Sequence, residues 1–227
     1  MNRRNSIKAG ATIISGLMIA PGLKANTSTS SEGTESFWNV IKGRRSVRKF
    51  KSDPIPEEHL MKIIDTGRLA PTSGNQQPWK FIVVQDEKQI EKLKNECFSY
   101  METYLKEQAN LEGEKLSEAF EKTKKQYNEG YFTAPAYIVV LTDQESKYPS
   151  YNSHDGPLAA GYLMLAARAL GYGTVYITDA IPDEVTQKAF SIPEKYTRVC
   201  ITPVGVPVEW PTKEKEALDT FLVRETF

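Results

Sequence analysis

The sequence predicts one folded domain that contains both helices and strands and that follows a leader segment. Three observations support this prediction. The length of 227 residues suits a leader and a single domain of roughly 190 residues with a sizeable core. Amphipathic stretches with helical spacing alternate with short apolar runs of strand length. Residues 1–33 differ in composition from the rest of the chain.

The charge balance and the few cysteines and histidines exclude several classes of function. Lys and Arg number 29, as do Asp and Glu, so no net field favours nucleic acid or an anionic membrane. The sequence has no apolar run of about 18 residues, which excludes a multi-spanning membrane protein. Cys97, Cys200, His59 and His154 lack the spacing of metal ligands. We therefore expect a small-molecule or protein partner and no metal site.

Residues 1–33 have the order of segments found in an export signal. Arg3, Arg4 and Lys8 make the start basic, and a moderately apolar stretch with small residues follows. The paired arginines resemble a twin-arginine leader, which predicts an exported, periplasmic protein. The alternatives are an uncleaved membrane anchor, a disordered tail, or a cytoplasmic protein whose leader does not function. Residues 26–35, rich in Ser and Thr, predict a flexible linker.

The folded domain is expected to span residues 36–227 and to begin with a short helix over residues 37–41 that Ser36 caps. The next segment, residues 43–50 (GRRSVRKF), concentrates cations after a glycine. Arginine forks match phosphate oxygens bidentately, so this segment is a candidate phosphate site. A solvated charged face is the alternative interpretation.

A helix that starts at Pro56 leads into a polar loop over residues 70–79 (APTSGNQQPW). Two prolines bracket this loop, and its small residues offer many hydrogen-bonding groups at close backbone approach. Loops fixed between rigid elements often carry binding residues, although a plain connection to the strand over residues 81–85 is the alternative.

The second half of the chain alternates helices and strands. Residues 88–130 predict charged amphipathic helices, which form either a mobile cover over a site or a solvated hairpin. The remaining predicted elements are strands over 134–141, 174–177 and 198–206 and helices over 156–170 and 183–190. The helix over 156–170 is apolar nearly all round, so its own sheet or another subunit must cover it.

These elements contain no evident nucleophile, metal set or acid–base pair, and proteins of that kind usually rely on a cofactor. Residues 43–50, 70–83 (APTSGNQQPWKFIV), 134–140 and 171–177 resemble successive motifs of the FMN-dependent nitroreductase family. The resemblance extends over about residues 37–220. It implies an α+β fold with a central, mostly antiparallel sheet flanked by helices. It also implies an intertwined homodimer with two FMN molecules in its interface.

The resemblance further implies which residues bind FMN. In the first motif arginine lies at the phosphate and Arg48 lies near the polar edge of the ring, where a cation stabilises the reduced, anionic flavin. The matching residues are Arg44, Arg45, Ser46 and Arg48 in the first motif; Pro71, Thr72, Ser73 and Asn75 in the loop that reaches the flavin of the partner subunit; Thr178 and Asp179, whose backbone lies beside the reactive N5; and Lys213 and Lys215 at the phosphate.

The expected function is that of an FMN-dependent oxidoreductase with a ping-pong cycle. An NAD(P)H-type donor and then a nitroaromatic or quinone acceptor would use the same space, and no protein side chain need be catalytic. Tyr131 and Phe132 are candidate substrate-lining residues, with core packing as the alternative. Other relatives of the fold carry out reductive dehalogenation, enone reduction or dehydrogenation. The alternative outside the enzymes is a protein that binds flavin without turning it over.

Overall fold

The computed structural model describes residues 31–227, with side chains from residue 36 onward. Nearly all of the leader predicted over residues 1–33 therefore lies outside the described residues, and export stays a prediction. In the part of the chain that is described, the helices are all too short or too polar to cross a membrane.

A four-stranded antiparallel sheet lies at the centre of the fold. Its strands are β1 (Trp79–Val84), β2 (Ala136–Asp143), β3 (Gly173–Thr174) and β4 (Tyr196–Gly205), in the order β1-β2-β4-β3. Every neighbouring pair is antiparallel. All of β2 except its last residue is buried, because helices cover both faces of the sheet. This arrangement confirms the expected α+β fold.

The helices of the described part are α1 (Ser31–Gly43), α2 (Glu57–Gly67), α3 (Glu87–Glu107), α4 (Gly113–Asn128), α5 (Asn152–Ala169) and α6 (Asp183–Phe190). The helices predicted from Pro56 onward are confirmed. The linker predicted over residues 26–35 is wrong for residues 31–35, because α1 begins at Ser31 rather than after a cap at Ser36. A helix over residues 37–41 alone would order five residues for about one internal hydrogen bond, whereas each residue added to the longer helix contributes a further bond.

The helices divide between the two faces of the sheet. On one face α2 and α5 pack against Ile138 and Val140 of β2. On the other face α3 and α6 pack against Val139 and Leu141. Successive residues of β2 thus serve opposite halves of the core, as the pleat of a strand requires.

The strand predicted over residues 174–177 is only partly formed. β3 ends at Thr174, and Ile177 then returns to the sheet through two hydrogen bonds with Ile201, of 3.1 and 3.0 Å. Between them, Tyr176 directs its hydroxyl to the carbonyl of Val199 at 3.3 Å. The loop that carries Thr178 therefore leaves the sheet from a fixed point.

Candidate functional site

The segment that follows α1 runs along the edge of the sheet. Ser46 forms a parallel bridge with Thr174, and the Val47 N–H donates to the Thr174 carbonyl at 3.0 Å. Val47 is buried, whereas Arg44, Arg45 and Ser46 are partly exposed. Backbone pairing to β3 therefore holds the predicted phosphate-binding residues at the surface of a rigid sheet edge.

Arg168, near the end of α5, lies against this segment and is not among the site residues predicted from the sequence. A Cβ on Gly43 would lie 2.7 Å from Nη2 of Arg168, so the guanidinium contacts the backbone just before Arg44. The guanidinium also stacks on Trp210 at 4.0 Å. Arg168 could have been identified from the sequence, because it is the one charged residue in the otherwise apolar stretch 156–170.

The arginines of this region lack anionic partners. Among the described residues, no carboxylate pairs with Arg44, Arg45, Arg48 or Arg168. The Nε atoms of Arg45 and Arg168 are moreover buried without a hydrogen-bond partner. Nη1 of Arg45 donates to the carbonyls of Lys42 and Arg44, which carry no charge. Guanidinium groups without a countercharge have the chemistry of an anion site.

Lys213 and Lys215 are exposed in the tail that follows Trp210. The stacking of Trp210 on Arg168 holds the start of this tail beside the arginines. In the described part of the chain, neither lysine forms a hydrogen bond or ion pair. Their place at a phosphate stays a prediction.

The polar loop after α2 has an unusual backbone. Gly74, Asn75 and Gln77 have φ values of 56°, 54° and 49°. This left-handed region favours Gly and Asn but costs energy for Gln77, so the surrounding contacts must impose it. One such contact is the hydrogen bond from the Gln77 N–H to Oγ1 of Thr72, at 3.2 Å.

A buried carboxylate holds this loop. Asp155 is 2% exposed, and it accepts hydrogen bonds from the Ser73 N–H at 3.0 Å and from Nε2 of Gln76 at 2.6 Å. It lies in the first turn of α5, where the helix dipole stabilises an anion. Asp155 and Gln76 are not among the site residues predicted from the sequence. Of the predicted residues, Thr72 and Ser73 are partly buried, whereas Pro71 and Asn75 are exposed.

The two predicted segments lie at opposite ends of α5. The loop contacts Asp155 in the first turn of the helix, and the arginine segment contacts Arg168 in its last turn. At 1.5 Å per residue these two positions are about 20 Å apart along the helix axis. A single protomer therefore does not bring the loop and the arginines together.

The third predicted segment leaves the sheet after Ile177. Thr178 and Asp179 are exposed. The Asp179 carboxylate accepts hydrogen bonds from Oγ1 of Thr178 at 3.3 Å and from the Ala180 N–H at 3.1 Å. The buried side chain of Arg198 donates to the carbonyls of Thr178 and Ile181. Burial lowers the pKa of Arg198, and the neighbouring Asp183 carboxylate opposes this shift.

Tyr131 and Phe132 pack against the core. The Phe132 ring meets Phe98 edge to face at 5.9 Å, and the Tyr131 ring lies 5.1 Å from that of Tyr127. This is the core-packing alternative, and a substrate-lining role for the two residues stays a prediction.

A pocket of about 400 Å³ lies between α3, α4 and the loop that begins at Thr178. Its walls include Tyr100, Tyr104, Tyr127 and Asp179. The Tyr100 and Tyr104 rings are nearly parallel, with their centroids 6.4 Å apart. The helices predicted over residues 88–130 thus supply an aromatic wall beside one of the predicted cofactor segments.

The chain matches one protein family over most of its length. Residues 41–206 match the profile of the nitroreductase family. Iodotyrosine deiodinase of Thermotoga neapolitana is 29% identical over 171 residues, which cover 75% of this chain and 88% of that protein.

Two solved structures have a similar fold. An FMN-dependent nitroreductase from Clostridium difficile R20291 has a TM-score of 0.62 and 26% identity, with 84% of this chain and 99% of that chain covered. Oxidised iodotyrosine deiodinase bound to FMN and 3-iodo-L-tyrosine has a TM-score of 0.65 and 27% identity, with the same two coverages of 84% and 99%. With its antiparallel sheet and its family profile match, this chain belongs to the nitroreductase family.

Proposed function

We propose that this protein is an FMN-dependent oxidoreductase. One observation carries the proposal: Arg44, Arg45, Arg48 and Arg168 have no carboxylate partner among the described residues, and two of them bury a donor that is not hydrogen-bonded. A phosphate dianion would supply the missing countercharge. When bound, FMN would supply hydride transfer between an electron donor and an acceptor.

The residues of the chain fit the parts of this cofactor. Arg44, Arg45, Ser46 and Arg168 would hold the phosphate, and Lys213 and Lys215 would approach it from the tail. Exposed Arg48 would lie at the polar edge of the ring, where a positive charge favours the reduced, anionic form. The residues proposed to meet the ring and its side chain are Pro71, Thr72, Ser73, Asn75, Thr178 and Asp179.

The enzyme is proposed to be a homodimer. Because the loop and the arginines lie at opposite ends of α5, the loop of one subunit would complete the site on the other. An apolar groove of about 780 Å³ between α1, α2 and α5 supports this arrangement. Phe37, 56% exposed, and Tyr162, 40% exposed, lie along it. Exposed apolar surface of this kind is typical of a protein interface.

The pocket beside Asp179 is proposed to bind the acceptor. Tyr100 and Tyr104 would stack on a flat molecule, so nitroaromatics and quinones are the proposed acceptors and NAD(P)H the donor used in vitro. A second candidate function is reductive dehalogenation of an aromatic substrate. The similarity to iodotyrosine deiodinases at 27–29% identity favours that candidate.

Export of the folded flavoprotein through a twin-arginine leader is part of the proposal. NAD(P)H is a cytoplasmic donor, so an exported enzyme would need another reductant. Cell fractionation combined with N-terminal sequencing of the mature protein tests this point. Recovery of the full chain from the cytoplasm would contradict export.

The cofactor is tested on the purified full-length chain, by its visible spectrum and by chromatography of the released chromophore. We expect about one FMN per chain. We expect Arg168→Met to lower this content because it removes a guanidinium that would donate hydrogen bonds to the FMN phosphate. Arg68→Met is the matched control, since Arg68 pairs with Asp65 on the exposed surface of α2. A folded dimer that stays colourless after incubation with FMN would refute the proposal.

The reaction is tested by anaerobic reduction followed by addition of acceptors. Reoxidation by nitrobenzene or benzoquinone faster than that of free FMN would support the proposed activity. Release of iodide from 3-iodotyrosine, with slow flavin reoxidation by nitrobenzene and benzoquinone, would favour the dehalogenase. If none of the three exceeds the rate of free FMN, the protein is a flavin-binding protein without turnover.

A further inference from the structure

Arg198 is a buried cation to which the proposed function gives no role. Its side chain is 1% exposed although it lies near the start of β4. Nη1 donates to the Ile181 carbonyl at 2.5 Å, and Nη2 donates to the Thr178 carbonyl and pairs with Asp183. Burying a guanidinium is costly, and Asp183, whose side chain is 55% exposed, offsets only part of this cost, so the use of arginine at this position points to another role.

All three partners of Arg198 belong to the segment 178–183. This segment starts just after Ile177 pairs with Ile201 and ends where α6 begins. Two further side chains of the described part bond to its backbone from outside the segment: the Tyr127 hydroxyl donates to the Ala180 carbonyl at 2.7 Å, and Oγ1 of Thr186 in α6 donates to the Asp183 carbonyl at 2.7 Å. Arg198 and Tyr127 therefore fix the path of the loop between two rigid elements.

The Thr178 carbonyl belongs to the same peptide unit as the Asp179 N–H. Within the described residues, the N–H groups of Thr178 and Asp179 donate to no protein acceptor. A cationic donor on the carbonyl of a peptide polarises that unit and strengthens its N–H as a donor. The N–H of Asp179, an exposed residue, is thus held in place and made a stronger donor by the Arg198 charge on the other side of the peptide.

We propose that Arg198 is a positioning residue for the flavin, which acts by fixing and polarising the Thr178–Asp179 peptide. This inference rests on the proposed function, in which that peptide lies beside the FMN ring. Arg198 itself need not touch the cofactor. A polarised donor and a nearby positive charge both favour the reduced, more negative form of a flavin.

Four variants separate charge from position. Arg198→Met removes both, and we expect the dissociation constant of FMN to rise about tenfold. Binding of reduced FMN should weaken by a further factor of about ten, which lowers the two-electron potential of the bound flavin by about 30 mV. Arg198→Lys keeps the charge but cannot hold two carbonyls in one fork, so FMN affinity should fall while the potential stays close to that of the wild type.

The other two variants act on neighbours of Arg198. Asp183→Asn leaves the cation without its countercharge and should raise the potential. Tyr127→Phe removes a bond to the loop without changing any charge, so it should leave the potential unchanged. A purely structural role for Arg198 predicts instead that Arg198→Met and Asp183→Asn shift the potential in the same direction, and that result would overturn the proposal.

The loop is also tested in the full-length apoprotein without FMN, by hydrogen exchange of the Ile177 and Thr186 amides, which donate to the carbonyls of Ile201 and Pro182 at the two ends of the loop. Exchange should quicken in both Arg198 variants and stay at the wild-type rate in Arg68→Met. If Arg198→Met does not fold, Arg198→Lys and Asp183→Asn decide the question. If the wild type binds no FMN, the proposed function is refuted. If the wild type binds FMN and the Arg198 variants keep its FMN affinity, potential and amide exchange rates, only this inference is refuted.

Discussion

Replacing Asp155 with asparagine should loosen the polar loop while keeping the volume of the side chain. One carboxylate oxygen accepts from the Ser73 N–H at 3.0 Å and the other from Nε2 of Gln76 at 2.6 Å. The new amide NH2 would face the NH2 group of Gln76. Gln76 cannot turn over without losing the bond from the Tyr148 N–H to its Oε1, at 2.7 Å. The variant thus loses a hydrogen bond to a charged group, at a cost of about 2 kcal/mol.

This cost can be measured by urea and thermal unfolding of the FMN-free protein at a fixed concentration. For a chain of this size, about 2 kcal/mol corresponds to a fall in Tm of about 4–8 °C. Exchange of the Ser73 amide should quicken about 30-fold if the loop opens locally. Asp65→Asn is the control, because its exposed pair with Arg68 contributes less than about 1 kcal/mol. Unchanged exchange at Ser73 would refute the view that Asp155 holds the loop.

Three further predictions concern titration, assembly and substrate. Burial raises the pKa of Cys97 and of Cys200 to about 12, so the unfolded chain loses these protons first and stability should fall as pH rises from about 9 towards 12. Urea titrations in this range should show a shallower fall for Cys97→Ala, and an equal slope would contradict the prediction. Light scattering should show a monomer for Tyr162→Glu but a dimer for Tyr104→Glu, which changes the opposite face of the sheet; a dimeric Tyr162→Glu would exclude the groove as the interface. Tyr100→Ala should lower kcat/KM for a nitroaromatic about three- to tenfold with FMN content unchanged, and an equal loss with ferricyanide would argue against stacking.

Much of the fold could be predicted because its information is local. The apolar positions of α2 repeat at helical spacing, and the run that forms β2 is long and apolar enough to indicate a central strand. The end of β3 could not be predicted in this way. It depends on pairing of Ile177 with Ile201 and on the contact of Tyr176 with Val199, which are set by tertiary structure.

The candidate site divides along the same line. The cationic segment after α1 is visible in the sequence because its members are adjacent, and Arg168 could have been found as the single charge in an apolar helix. Asp155 could not have been found in the sequence, because its hydrogen-bond partner Ser73 lies 82 positions away. Arg198 lies in a strand pattern, and its ties to Thr178 and Ile181 arise from the path of a loop. Residues that position other groups leave little trace in local sequence.

The proposed homodimer would explain both the apolar composition of α5 and the division of the site. One side of α5 packs on its own sheet, while Leu158 and Tyr162 remain exposed in a single protomer. In a two-fold dimer with the α5 helices running antiparallel across the interface, the first turn of one helix would approach the last turn of the other. Asp155 and the loop of each subunit would then meet the arginines of the other subunit. The two groups, about 20 Å apart within one chain, would thus come together in two equivalent sites. It follows that Tyr162→Glu should lose the dimer and FMN together although it changes none of the proposed FMN-binding residues, whereas retention of FMN by a monomer would show that one protomer completes the site alone.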